Sequence, residues 1–138
     1  MTRRRLVIFA HWSTAFLLAV LLIEGPSAAT WLVLAFAIIT AVWFSSYLLG
    51  RGPLGKPGPK LSASLKALHR VQHHALYFAM ASAAYFSVTA LASETTGRAL
   101  KALLFLGLLH GMFHVWRHTA LFDGALRTIT PRFAHKVL

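Results

Sequence analysis

Long apolar runs broken by short polar punctuation dominate the chain. Leu6–Ile23 is interrupted only by His11, Trp12, Ser13 and Thr14, and Trp31–Leu49 carries neither a charge nor a histidine. At ~1.5 Å per residue each run comes close to crossing a hydrocarbon layer about 30 Å thick. Glu24-Gly25-Pro26-Ser27 between them reads as a tight turn. Gly and Pro then recur through residues 50–61, with Arg51, Lys56 and Lys60 among them, which excludes a helix and predicts a basic, exposed loop. A third helix is expected over about 64–92, with Ser62 or Ser64 as its cap. Its first turns hold His69, Arg70, Gln72, His73 and His74, too polar for the centre of a bilayer, so they belong at the interface or inside a bundle. Ser93-Glu94-Thr95-Thr96-Gly97 reads as a further turn before a fourth helix over about 98–122 and a polar tail through Arg127, Arg132 and Lys136. Four such segments predict an all-α membrane protein, a four-transmembrane-helix up-and-down bundle forming one domain over 1–138.

Composition agrees with lipid as the solvent. Of the residues 57% are hydrophobic and 12% charged, where a soluble protein carries about a quarter charged. The 14 Lys and Arg stand against 3 Asp and Glu, a formal +11 that in a soluble chain would suggest nucleic acid. Placement argues against that partner and for lipid head groups, because the basic residues flank the apolar runs. Arg98 and Lys101 alone fall on one side of the expected bundle; the N-terminus, the 50–70 segment and the tail hold the rest. The excess of positive charge predicts that both termini are cytoplasmic in a multi-pass membrane protein. Arg3-Arg4-Arg5 and Ser27-Ala28-Ala29 also outline a signal peptide, but the first run exceeds the usual ~7–15 apolar residues and contains a His-Trp pair.

With no cysteine, thiolate metal sites, iron–sulfur clusters and covalent haem attachment through paired cysteines are excluded. The eight histidines remain as metal ligands. His11 falls about 8–9 Å into the first helix, and His110 lies about 16 Å up from the exit of the fourth, which runs the opposite way. His114 and His118 follow His110 at i+4 and i+8 on nearly one face. With His69, His73 and His74, seven histidines gather at one end. An imidazole in the membrane must find a partner. Each of His11 and His110 could satisfy itself on a helix carbonyl or a serine. Alternatively the two bind one haem iron axially, with the macrocycle filling an apolar gap between helices. Gly107 and Gly111 bracket His110 and would admit either a macrocycle or a closely packed helix. Zinc or copper ranks below haem, since zinc calls for Cys or carboxylate ligands or a third converging His. Arg5, Arg70 and Arg117 are candidates for pairing haem propionates, or else head-group anchors. Trp12, Trp43 and Trp116 fit an interfacial belt.

Several short motifs occur in a characteristic order: His11-Trp12, Gly55-Lys56-Pro57-Gly58-Pro59-Lys60, His74-Ala75-Leu76-Tyr77, Leu109-His110, Phe122-Asp123-Gly124-Ala125-Leu126-Arg127 and Thr130-Pro131-Arg132. In that order the chain resembles the bacterial cytochrome b561 family over nearly its whole length. The resemblance implies a four-helix b-type cytochrome exchanging electrons with membrane quinone, usually through two haems. It maps the ligands of the haem nearer the cytoplasm onto His11 and His110. The outer haem of that family takes a histidine from early in the second helix and one about four turns before His110. The second helix here has none, and the other position falls at Thr96. One haem b is therefore expected. A second would need another construction, between His73 or His74 and His114 or His118. His74 and His118 otherwise suit a propionate or a quinone head group, and His135 is expected in solvent.

The function expected is electron transport, a haem-iron relay of single electrons between quinone and redox partner subunits. A different class of reading is a non-catalytic accessory or anchor subunit of a larger membrane complex, with or without haem. The acids Glu24, Glu94 and Asp123 all fall in expected turns or the tail, so no paired carboxylates point to hydrolysis. No span has a Gly/Pro break or a mid-membrane charge of the kind a transporter uses.

Overall fold

A computed structural model of the chain describes residues 2–53, 56–131 and 135. Leu54 and Gly55 of the loop, and Arg132 and Lys136 of the tail, lie outside the described residues. Four helices account for most of the rest: α1 (Arg3–Glu24), α2 (Thr30–Leu49), α3 (Ala63–Ala90) and α4 (Glu94–Ala120). Short 3-10 turns follow α1 and α4. Each helix packs on the next and α4 returns to α1, closing a bundle.

The helix ends follow their caps. Thr2 accepts the amide of Arg5, so the arginine run expected before the first helix forms its first turn instead. Ser62 accepts from Leu65 N and starts α3. The segment Glu94–Gly97, expected as a turn, is the first turn of α4. Ser93 caps it by accepting from Thr96 N, and Glu94 places a negative charge at the positive end of the helix. Thr96 is fully buried, and its hydroxyl lies 3.0 Å from the Phe86 carbonyl and 2.7 Å from that of Ala90, clasping α4 to the end of α3.

Among the described residues three helical segments are long and apolar enough to cross a membrane: Arg3–Ser27, Thr30–Leu49 and Glu94–Ala120, with mean hydropathies of 2.3, 2.2 and 1.4. Large side chains such as Phe9, Phe16, Ile38, Phe78, Phe105 and Met112 project outward from all four helices. The buried core fills the half of the bundle next to the α1–α2 and α3–α4 turns. There Leu17, Leu21, Leu32, Phe36, Met80, Leu100 and Leu103 interlock around the small residues Ala79, Ala83 and Ala84. Small residues let helix backbones approach closely where no water drives them together.

The opposite half is tied by polar contacts. The loop expected to be exposed is partly packed: Leu61 is buried, the Arg3 guanidinium donates to the Gly52 carbonyl, and Gly58 sits against Arg117 and Asp123. The tail folds back onto α1, where the Trp12 indole donates to the Ile129 carbonyl at 3.1 Å and Arg4 donates to the carbonyls of Arg127 and Thr130. His135, expected in solvent, is half-buried, with its Nε2 3.2 Å from the Thr130 carbonyl.

Candidate cofactor cavity and histidine cluster

The half of the bundle left open by the apolar core holds a cavity of about 340 Å³, bordered by all four helices. Its apolar walls include Val7, Leu18, Leu76, Met80, Leu103 and Leu104. His11 enters this lining from α1 and His110 from α4. The His11 ring stands edge-on to Trp43 at 6.4 Å between centroids, while the Trp43 indole donates to Thr14 at 3.0 Å. His110 Nδ1 is buried without a hydrogen-bond partner among the described residues. Gly107 also lines the cavity, one turn before His110, and a Cβ there would meet nothing within 4 Å. Gly111 is exposed beside Met112 and Trp116, on a side of α4 outside the cavity lining.

Basic residues gather at the mouth. Arg117 and Lys56 line the cavity, and the Arg117 guanidinium is held by Asp123 through Nε and Nη2, each 2.7 Å from Oδ2. Arg5 and Arg70 are exposed, and neither is part of the lining formed by the described residues. His74 points to α2 instead. Its Nδ1 donates to the Arg70 carbonyl at 2.7 Å, which leaves Nε2 to accept from the Tyr47 hydroxyl at 3.0 Å. His118 is half-buried in the last turn of α4.

No family model, curated protein or solved structure matches this chain.

Around the cavity the histidines form a cluster. The His110 ring lies tilted 4.4 Å from His114 and edge-on 4.8 Å from His73, centroid to centroid. Behind them His69, only 1% exposed, lies 4.3 Å from His73 and 5.7 Å from His114. The ligating nitrogens of His69, His73 and His114 fall within 4.8 Å of one another. Its position in the sequence puts His69 at this end of the bundle without marking it as a ligand. The signal was present, since His69 and His73 are an i, i+4 pair, but which α4 histidine meets them depends on the register between two helices.

The residues present suit a haem. Two uncharged nitrogen donors from different helices line one apolar cavity, one with an orphaned buried nitrogen, and cationic groups stand at the rim. The cavity volume falls within the range of about 300–1,000 Å³ usual for small-molecule sites.

Proposed function

We propose that this chain is a membrane b-type cytochrome of the bacterial cytochrome b561 kind. It holds one haem b between His11 and His110 and relays single electrons between membrane quinone and a protein partner. The observation that carries this reading is the shared cavity: an apolar space among four helices that His11 and His110 enter from α1 and α4. When bound, the haem supplies reversible one-electron exchange at its iron. His11 and His110 would both hold the haem iron, which suits electron exchange rather than chemistry on oxygen or another small ligand. Leucines and Met80 line much of the cavity wall, which lowers the dielectric around a redox group held there. Arg117 and Lys56 are the cations placed for haem propionates, and Asp123 fixes the Arg117 guanidinium there.

In this reading α3 is the fourth membrane span. It has 28 residues, about 42 Å of helix, and its polar first third turns His69 and His73 into the bundle while Tyr77–Ala90 continues through the apolar layer. The loop after α2, the N-terminus and the tail meet at one end of the bundle, where Arg3, Arg4, Lys56, Lys60 and Arg127 gather, and the positive-inside rule puts that end in the bacterial cytoplasm.

The test is pyridine-haem quantitation on chain purified from haem-replete membranes. One haem per chain is expected, with the reduced α-band lost in both His11→Ala and His110→Ala. A chain that purifies folded without haem, or keeps it in either variant, overturns the reading. Reduction of the purified chain by quinol then separates an electron relay from a haem-carrying anchor subunit.

A further inference from the structure

We propose that His69, His73 and His114 form a second metal site, for a divalent transition ion of the zinc class, beside the haem cavity and sharing no ligand with the haem. The three side chains come from two helices, an i, i+4 pair on α3 and one residue of α4, and their ligating nitrogens lie within 4.8 Å of one another. That convergence of a third histidine is what a cysteine-free zinc site requires.

Each ring is prepared for the role in a different way. The Nδ1 of His73 lies 2.6 Å from the His69 carbonyl, which can only accept, so Nδ1 carries the proton and Nε2 presents its lone pair. A ligating histidine normally donates its other ring N–H to a carbonyl or carboxylate in this way, because the contact fixes both tautomer and orientation. His69 is 1% exposed, yet both of its ring nitrogens lack a hydrogen-bond partner among the described residues. Burying such a group unsatisfied is destabilising, a cost that coordination would offset. His114 Nε2 is likewise buried and unpartnered. Phe113, with its ring 5.9 Å from that of His114 and 6.3 Å from that of His69, closes the apolar side.

A small ion fits this arrangement better than a second haem does. A porphyrin needs a flat slot between its two ligands, and the His69 ring, 4.3 Å from His73 and 5.7 Å from His114, stands beside both. Nitrogens at tetrahedral Zn–N distances of ~2.0–2.1 Å stand about 3.4 Å apart, so nitrogens now within 4.8 Å of one another close in by no more than about 1.4 Å on binding. Imidazole-only ligation selects zinc, copper, nickel or cobalt over magnesium and calcium, which take oxygen. Three protein ligands leave the fourth position of zinc to water, or to a group entering from the cavity that His73 and His114 also line. Bound there, the ion ties α3 to α4 at the end of the bundle opposite the packed core.

The experiment titrates Zn2+ into the full-length chain in detergent after chelator treatment, and repeats the titration with Co2+ while recording its visible spectrum. One tight equivalent per chain is expected, with the intense d–d bands of tetrahedral Co2+. That equivalent should be lost in His69→Gln and His114→Gln and kept in His74→Gln and His135→Gln. His69→Cys gives a readout that misfolding cannot imitate, a new sulfur-to-cobalt charge-transfer band at unchanged stoichiometry. Binding that survives His69→Gln and His114→Gln, or the absence of both the tight equivalent and the charge-transfer band, overturns the proposal. The two readings fail separately. Zinc retained in His110→Ala, where haem should be lost, supports a distinct site, whereas its loss there together with retention in His69→Gln overturns it. A haem-free chain that still binds one zinc through these three histidines also supports it, and removes only the cytochrome.

Discussion

The Arg117 guanidinium reaches Asp123 Oδ2 through both Nε and Nη2, at 2.7 Å each, and the two side chains are only 4% and 2% exposed. The pair joins the last turns of α4 to the tail, and the Asp123 Oδ1 also accepts the amide of Ala125 at 2.9 Å. The backbone of Gly58 lies directly on it, where a Cβ would run into Asp123 Oδ2 and come within 2.8 Å of Arg117 Nη2. A loop, a helix end and a tail are thus stitched together at the cavity mouth.

Removing one partner of a buried ion pair leaves the other uncompensated, so Asp123→Ala is expected to destabilise the chain by about 3–5 kcal/mol. Gly58→Ala should cost about 1–3 kcal/mol through overpacking against the same pair. Because both act on one contact, the double variant should be less destabilised than the two single effects combined. Thermal or denaturant unfolding in detergent measures this, and simple additivity would mean that Gly58 does not act through Asp123.

Gly107 tests the cavity from inside. A Cβ there has nothing within 4 Å, so Gly107→Leu should fold normally while its side chain enters the space next to His110. Haem content is expected to fall severalfold with little change in unfolding temperature. Full haem occupancy in a folded Gly107→Leu chain would show that the macrocycle lies elsewhere.

Long apolar runs made α1, α2 and α4 legible, and α3 was legible despite its polar start from the serines that begin it and the Gly/Pro loop before it. The start of α4 was not legible in the same way. Ser93-Glu94-Thr95-Thr96-Gly97 has the composition of a turn, and only the Ser93 hydroxyl on Thr96 N, with the Thr96 hydroxyl on two α3 carbonyls, makes it helical. Local propensity is weak beside such tertiary bonds. His11 and His110 could be matched from depth along two helices, and both do line one cavity. Depth does not determine rotation about the helix axis, which is why Gly111 is outside the cavity lining, His74 faces Tyr47, and His69 rather than His74 joins the cluster.

Whether α3 crosses the membrane decides on which side everything after it lies. By hydropathy α1, α2 and α4 qualify as spans, and α3 is set apart by the polar turns at its start. A chain without cysteine allows a clean test with single replacements at exposed positions, Ser27→Cys, Arg51→Cys, Ala92→Cys and Arg127→Cys, labelled by a membrane-impermeant maleimide before and after permeabilisation. Four spans with cytoplasmic termini predict labelling from outside at 27 and 92, and only after permeabilisation at 51 and 127. Were α3 to lie along the surface instead, 27 would remain outside and 51 inside. Position 92 would then move to the inside and 127 to the outside, reversing the last two results. The basic end of the bundle argues for the first pattern. The second would carry Arg117, Arg127 and their neighbours across the membrane, away from Arg3 and Lys56, and would break the Arg4 contacts to the carbonyls of Arg127 and Thr130.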